Sequence, residues 1–407
     1  MRTKKSLDLA RLREKVLERI NYGTELSDEE VYEIVDEVLR EEKDFYLLPP
    51  VEGGEARTEL FYSLRRLDIL QNLLEDPDIT EIMVNGPNHI FVEKQGRIQE
   101  IDTVFESPEK LSDVIQQIVA SCNRTVNELN PIADARIMGA RANIVLSAVA
   151  LNGPILTIRR FPKNPITMEQ LIGFGAITKE AASFLQTLVR AGYNIFVSGG
   201  TGSGKTTFLN VLSGFIPEEE RVITIEDSAE LQLQGVRNLV SMETRESNLE
   251  GGKNITIRDL IKSSLRMRPD RIIVGEVRGA EAYDMMQCMN TGHDGSMSTG
   301  HANSSKDMCT RLENMILMGI DIPLSAIRRQ IVSGIDVIVH LGRLRDRSRK
   351  VLEIQEIVGV NQDEFVLNPL FLFEEEGEEN GKIIGTLQRK EALQNDYKLK
   401  AAGLSCG

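Results

Sequence analysis

Eight consecutive residues carry the clearest chemistry in this sequence: Gly199-Gly200-Thr201-Gly202-Ser203-Gly204-Lys205-Thr206 fills every position of the pattern G-x-x-x-x-G-K-[ST]. An apolar run, NIFVSG, leads into it and a helical run follows. A triphosphate is bound by backbone N–H groups turned inward around it, which glycines allow through positive φ and close chain approach. The following helix points its positive end at the same anion. Lys205 adds a mobile charge toward the β- and γ-phosphates, and Thr206 offers a hydroxyl to Mg²⁺.

Downstream residues complete a reactive set. RVITIED ends in Glu226-Asp227, with Glu230 three residues later, and carboxylates at the carboxyl end of a parallel strand beside such a loop face the metal and the attacking water. A second strand, DRIIVGEVRG, places Glu276 at its end, behind Gly275, as the candidate general base or water-positioning group. His293 and His301 lie in TGHDGSMSTGHANSS, where they could sense a γ-phosphate by donating hydrogen bonds that vanish after hydrolysis. Their spacing with Cys288 and Cys309 matches no zinc pattern. Arginines cluster at Arg136, Arg141, Arg159 and Arg160, then at Arg266, Arg268 and Arg278, and guanidinium forks stabilise the charge on a phosphoryl group in transfer. Arg159 and Arg160 end an apolar strand and could reach a nucleotide of the same or the adjacent subunit.

The elements that position these groups follow from periodicity. Residues 1–45 carry two helical stripes, Leu9/Leu12/Val16/Leu17/Ile20 and Val31/Ile34/Val35/Val38/Leu39, with Ser27 and Glu30 as a capping box. Pro-Pro and Gly-Gly in Leu48–Glu55 predict a linker, closing an N-terminal helical segment, 1–55. Short helical and strand-like pieces over 56–160 predict a smaller α+β module, PAS-like in the family that the motifs quoted below resemble, and the prolines and glycines of 161–178 a hinge. From Lys179 to Phe373 helices alternate with the buried strands NIFVSG, RVITIED, DRIIVGE and VIVHL, an α/β arrangement of RecA-like P-loop type. The acidic residues 374–407 predict a solvated, weakly structured tail.

Composition narrows the function class. The 407 residues include no Trp, 5% aromatics and a net charge of −14, a poor endowment for stacking nucleobases or neutralising phosphate backbones, so no nucleic-acid partner is expected. The four cysteines, Cys122, Cys288, Cys309 and Cys406, form no framework, and neither a secretory signal nor a membrane span is legible. A cytoplasmic protein that meets a membrane only through a partner is the expectation. A RecA-like nucleic-acid motor and a nucleotide-gated scaffold that binds without hydrolysing remain as alternatives.

Four ordered motifs, GGTGSGKTT, VITIEDSAELQL, LRMRPDRIIVGEVRG and TGHDGSMSTGHANSS, together resemble the Walker A, Asp box, atypical Walker B and His box of the secretion-superfamily ATPases of type II and type IV secretion and type IV pilus assembly. The likeness runs from about Leu60 to Phe373. RMRPDR, DARIMGARAN and ALNGPILTIRRF are similar to the CpaF-like branch that drives tight-adherence (Flp) pilus assembly. The resemblance implies ATP held by Gly199 to Thr207 with Mg²⁺ on Thr206, Glu226 and Glu230 as Asp-box acids, Glu276 as the Walker B glutamate, and His293 and His301 as the His box. It implies that Arg136, Arg141, Arg159 and Arg160 are brought to the nucleotide, often across a subunit boundary. It further implies a homohexameric ring docking beneath an integral membrane platform protein.

Overall fold

The N-terminal stripes become helices α1 (Leu9–Arg19) and α2 (Asp28–Glu41), and the expected capping box at Ser27 and Glu30 starts the second. The computed structural model describes residues 7–20, 26–94, 96–122, 124–160, 165–245 and 253–405. The chain divides into two units, one up to Pro162 and one from Lys163 onward.

In the first unit, α1 and α2 pack with α3 (Pro50–Arg65) around Leu12, Val16, Val35, Val38 and Phe61. Helix α3 runs through the stretch expected to be a linker. Pro50 occupies its first turn, where a missing N–H costs nothing, and Gly53 is buried beside the Phe45 ring. After α4 (Ile69–Glu75) come β1 (Ile79–Asn85), β2 (Ile90–Lys94), β3 (Arg97–Ile101), α5 (Pro108–Ser121), β4 (Ile132–Ile137), β5 (Ala140–Val145) and β6 (Ile155–Arg160). These strands form one antiparallel sheet in the order β3-β2-β1-β6-β5-β4. One face is buried on α5 and α4 through residues such as Ile82, Ala142, Leu156 and Ile158, so alternate residues of the other face meet solvent.

The second unit begins with α6 (Met168–Gly173), inside the segment expected to be a hinge; residues 161–164 of that segment lie outside the described residues. Then come α7 (Lys179–Arg190), β7 (Ile195–Gly199), α8 (Lys205–Ser213), β8 (Arg221–Glu226), β9 (Asn238–Glu243), α9 (Ile257–Ser264), β10 (Arg271–Val274), α10 (Glu281–Met289), β11 (Met297–Gly300), α11 (Ser305–Gly319), α12 (Leu324–Gly334) and β12 (Val337–Arg343). The six strands β12-β7-β11-β10-β8-β9 are parallel neighbours in that order, and each parallel step needs a crossover, which helices supply except between β8 and β9, where residues 227–237 cross as a loop. Helices α7 and α8 cover one face and α9 to α12 the other, so β7 and β10 are buried along their whole length.

Beyond Phe373 the expectation of a weakly structured tail does not hold. Strands β13 (Arg349–Asn361), β14 (Glu364–Glu379) and β15 (Lys382–Arg389) extend the same sheet beyond β12, each antiparallel to the strand before it, and α13 (Tyr397–Ala401) follows. Three glutamates of the acidic run are paired in place: Arg345 reaches Glu375 at 2.5 Å and Glu378 at 3.0 Å, and Lys390 pairs with Glu374. Ile383, Leu387 and Leu399 are buried beneath it. Buried Glu356 accepts the backbone N–H groups of Gln394 and Asn395, and Lys398, 6% exposed, pairs with Asp336 at 2.8 Å and Asp294 at 2.7 Å. A charge count along the sequence cannot see these partners, which come from strands and turns far away in the chain.

Candidate nucleotide site

The glycine-rich stretch joins β7 to α8 as a loop, and steric accounting explains its residue types. A Cβ on Gly199 would stand 2.5 Å from the Leu341 carbonyl oxygen of β12 and from Ser203 Oγ. Gly204, the N-cap of α8, has φ +98°, open to glycine at no steric cost. Ser203 is buried with a hydroxyl that has no hydrogen-bond partner, an orphan whose desolvation a phosphate oxygen would relieve. Lys205 is buried at the head of α8 and donates from Nζ to the carbonyls of Gly199, 3.2 Å, and Gly200, 3.1 Å. Burial holds its pKa below the ordinary lysine value, with Arg278 pushing the same way against Glu276. An anion at the loop would reverse that penalty. Thr206 and Thr207 follow in the first turn of α8, half-buried.

Three side chains from neighbouring strands converge on Lys205. His301 follows β11, and its Nδ1 lies 3.4 Å from Lys205 Nζ. With Nδ1 accepting from an ammonium, the proton resides on Nε2, which faces Glu276 Oε1 at 2.8 Å. That contact is close but off the hydrogen-bond axis, since Oε1 is buried without a formed bond. Burial, then the Lys205 charge, lowers the His301 pKa, keeping the ring neutral near pH 7. Glu276 follows β10, and its Oε2 accepts from Arg278 Nη2 at 2.6 Å. Arg278 also lies 3.9 Å from Asp227. The parallel register sets this arrangement: Gly300 pairs with Ser198, so the ends of β7 and β11 lie level.

Glu226 ends β8 and is buried, its Oε1 accepting the backbone N–H groups of Glu230 and Leu231 at 3.0 Å each. Burial pushes its carboxyl up to about 7, against those two hydrogen bonds. Gly275 is needed here: a Cβ on it would sit 2.8 Å from Glu226 Cγ. Glu226 thus anchors the loop that presents Glu230. A cleft of about 530 Å³ opens beside the glycine loop, lined by Gly200, Thr201, His301, Asn303, Asp307 and Arg311. Asp307 and Arg311 escaped the sequence reading, although their i, i+4 spacing on α11 placed them on one helix face.

Not every expected residue joins this cluster. His293 precedes β11 while His301 follows it, so the strand separates them to its opposite ends, and His293 Nδ1 lies instead 3.2 Å from the Cys288 carbonyl. In the first unit, Arg136 pairs directly with Arg141 across β4 and β5, and Arg141 with Arg159 across β5 and β6. The two-residue turn Met138-Gly139, both with positive φ, fixes that register. Three arginines therefore form one row on the solvent-facing side, with Arg141 also 3.5 Å from Asp134. Like charges directly opposed in a sheet are destabilising, a cost that an anion would offset. Arg160 points to the other face, where it donates to the carbonyls of Asp76 and, at 3.1 Å, Ile79. It is a brace for the turn before β1, away from the row.

This arrangement is carried by a sequence that matches the type II/IV secretion system protein family over residues 64–391. The chain belongs to that family of secretion ATPases. A putative conjugal transfer protein of Mycobacterium tuberculosis is 32% identical over 311 residues, spanning 73% of this chain and 88% of that protein. The type IV secretion system protein VirB11 of Bartonella henselae is 30% identical over 332 residues, spanning 72% of this secretion ATPase and 92% of that one. The pilus retraction motor PilT, solved with bound ADP, shares the fold with TM-score 0.53 at 19% identity, over 84% of this chain and 88% of PilT. The α/β class, with an N-terminal domain preceding a RecA-like core, is that of this family. Among the described residues no helix is long and apolar enough to cross a membrane.

Proposed function

We propose that this secretion ATPase is a cytoplasmic, ATP-hydrolysing motor of the CpaF-like branch that powers tight-adherence (Flp) pilus assembly, working as a homohexameric ring beneath an integral membrane platform protein. The branch rests on RMRPDR before β10 and on DARIMGARAN and ALNGPILTIRRF in the first unit. The observation that carries hydrolysis is the connected set Lys205, His301, Glu276 and Arg278 at the carboxyl ends of β7, β11 and β10.

In this reading Gly199 to Thr207 hold ATP. Lys205 exchanges the Gly199 and Gly200 carbonyls for phosphate oxygens, and the buried Ser203 hydroxyl gains its missing partner. The desolvated ammonium and orphan hydroxyl fit a magnesium-bound triphosphate, with Thr206 supplying a hydroxyl to the ion, whose charge would neutralise the phosphates. Glu276 orients the attacking water, and Arg278 fixes the carboxylate that does so. His301, bridging Lys205 and Glu276, reports the presence of the γ-phosphate. Glu226 holds the backbone of Glu230 in place. Arg136, Arg141 and Arg159 form the row that is brought to the nucleotide of an adjacent subunit, an arginine-finger role worth roughly 10³–10⁵ in rate.

The test is Glu276→Gln in the full chain, with ATP binding measured by titration calorimetry and turnover by phosphate release. Binding within about threefold of the parent and turnover down at least 100-fold is expected. Near-normal turnover would refute the assignment.

A further inference from the structure

Strands β12 and β13 form a hairpin beside the glycine loop. Leu341 of β12 pairs with Gly199, the residue at which β7 turns into that loop. β12 continues two residues further, to Arg343, so the hairpin stands roughly 7 Å past the end of β7 at ~3.3 Å per residue. At that height Arg343 faces Arg349 directly across the antiparallel pair.

Side-chain direction follows from the strand period. The preceding facing pair on that side, Leu341 and Val351, belongs to the core layer that also contains Phe208 and Leu209 of α8. Two residues further along each strand, Arg343 and Arg349 carry the same row beyond that layer, toward the head of α8. A steric contact agrees: a Cβ added to Gly204, the N-cap of α8, would lie 3.8 Å from Arg349 Cδ.

Both arginines are exposed, and neither has a hydrogen bond or ion pair among the described residues. Their neighbour Arg345, on the turn of the same hairpin, is matched by Glu375 and Glu378. Of the four arginines on this hairpin the fold neutralises Arg345, and of the other three Arg343 and Arg349 stand directly opposed, an arrangement that is unfavourable until an anion joins it. The backbone beneath them is held: Lys350 Nζ donates to the Gly175 carbonyl and the Val351 N–H to the Ala176 carbonyl, each at 2.8 Å.

Strand order supplies the direction of the ligand. Glu276, Arg278 and His301 approach the loop from β10 and β11, on one side of β7, and the hairpin stands on the other. A nucleotide whose terminal phosphate meets those three groups runs its α-phosphate the opposite way, across the head of α8. We infer that Arg343 and Arg349 are two arms that hold the α-phosphate of the bound nucleotide, on the side away from the hydrolytic groups. This rests on the nucleotide reading of the glycine loop.

The experiment is titration of the full chain with Mg-ADP and with Mg-ATP, comparing the parent, Arg343→Ala, Arg349→Ala, the double variant and Lys205→Ala. Each single arginine change weakens ADP and ATP by the same factor, about tenfold, and the double variant more. Turnover at saturating ATP stays within about twofold, and far-UV circular dichroism stays unchanged because both side chains are exposed. Arg349→Lys recovers only part of the affinity, since an ammonium lacks the fork. Unaltered ADP affinity in the double variant, with Lys205→Ala binding lost, would overturn this inference alone. A loss confined to ATP with collapsed turnover would also overturn it, placing the arms at the γ-phosphate. Normal binding by Lys205→Ala would overturn the loop reading and this inference with it.

Discussion

Glu226→Gln isolates the energetic cost of one buried acid. In the folded chain the Glu226 carboxyl is 4% exposed and pushed up to about 7 by burial, from an ordinary value of 4.5. An acid whose folded pKa is raised binds its proton more tightly in the native state. Stability is therefore fully present below pH 4.5 and falls as the pH rises toward 7, while the unfolded chain ionises and the folded one does not. The difference of about 2.5 units at ~1.36 kcal/mol each corresponds to about 3 kcal/mol lost across that window. Glutamine retains an oxygen to accept the Glu230 and Leu231 N–H groups and cannot ionise, so its stability lacks this component. All other titrating groups are shared, and the difference between the two proteins' urea-unfolding free energies isolates Glu226. The chain has no Trp, so unfolding is followed by far-UV circular dichroism, without nucleotide, from pH 4.5 to pH 8. Glu226→Gln should gain about 3 kcal/mol on the parent over this range, most of it below pH 7. Parallel profiles would show that the carboxyl is solvated and that the close packing of Gly275 on it does not desolvate it.

The two histidines of the glycine-rich stretch separate cleanly. His301→Ala should lower ATP turnover at least tenfold, and His293→Ala should leave it within about twofold, as phosphate release would show. Arg159→Gln should abolish most turnover without lowering the melting temperature, since it removes one of two directly opposed like charges. Arg160→Gln should act the other way, costing about 1–3 kcal/mol by leaving the Asp76 and Ile79 carbonyls without their charged donor, with turnover preserved at temperatures where the fold persists. Lys398→Met should destabilise the second unit by about 3 kcal/mol or more, because Asp336 is left buried and unpaired. Adding Asp336→Asn should recover most of that loss in thermal unfolding, and no recovery would refute the pairing as its cause.

The glycine loop, the strand before it, the helix after it and the acids at two strand ends were legible in the sequence. Each depends on residue types within one turn or one strand, where backbone freedom and period are local properties. The capping box at Ser27 belongs to the same class. What the sequence could not decide were questions of partnership. His293 and His301 are eight residues apart and look alike, and only the direction of β11 assigns one to the loop and the other to the opposite end of the strand. Arg159 and Arg160 are adjacent, and the pleat sends them to opposite faces, one into a row of like charges and one onto backbone carbonyls. The acidic residues after Phe373 read as a solvated tail until Arg345, Asp294 and Asp336 are placed opposite the charges around them. Periodicity reports which face a residue occupies, while electrostatic balance depends on which distant charge the fold brings within a few ångströms.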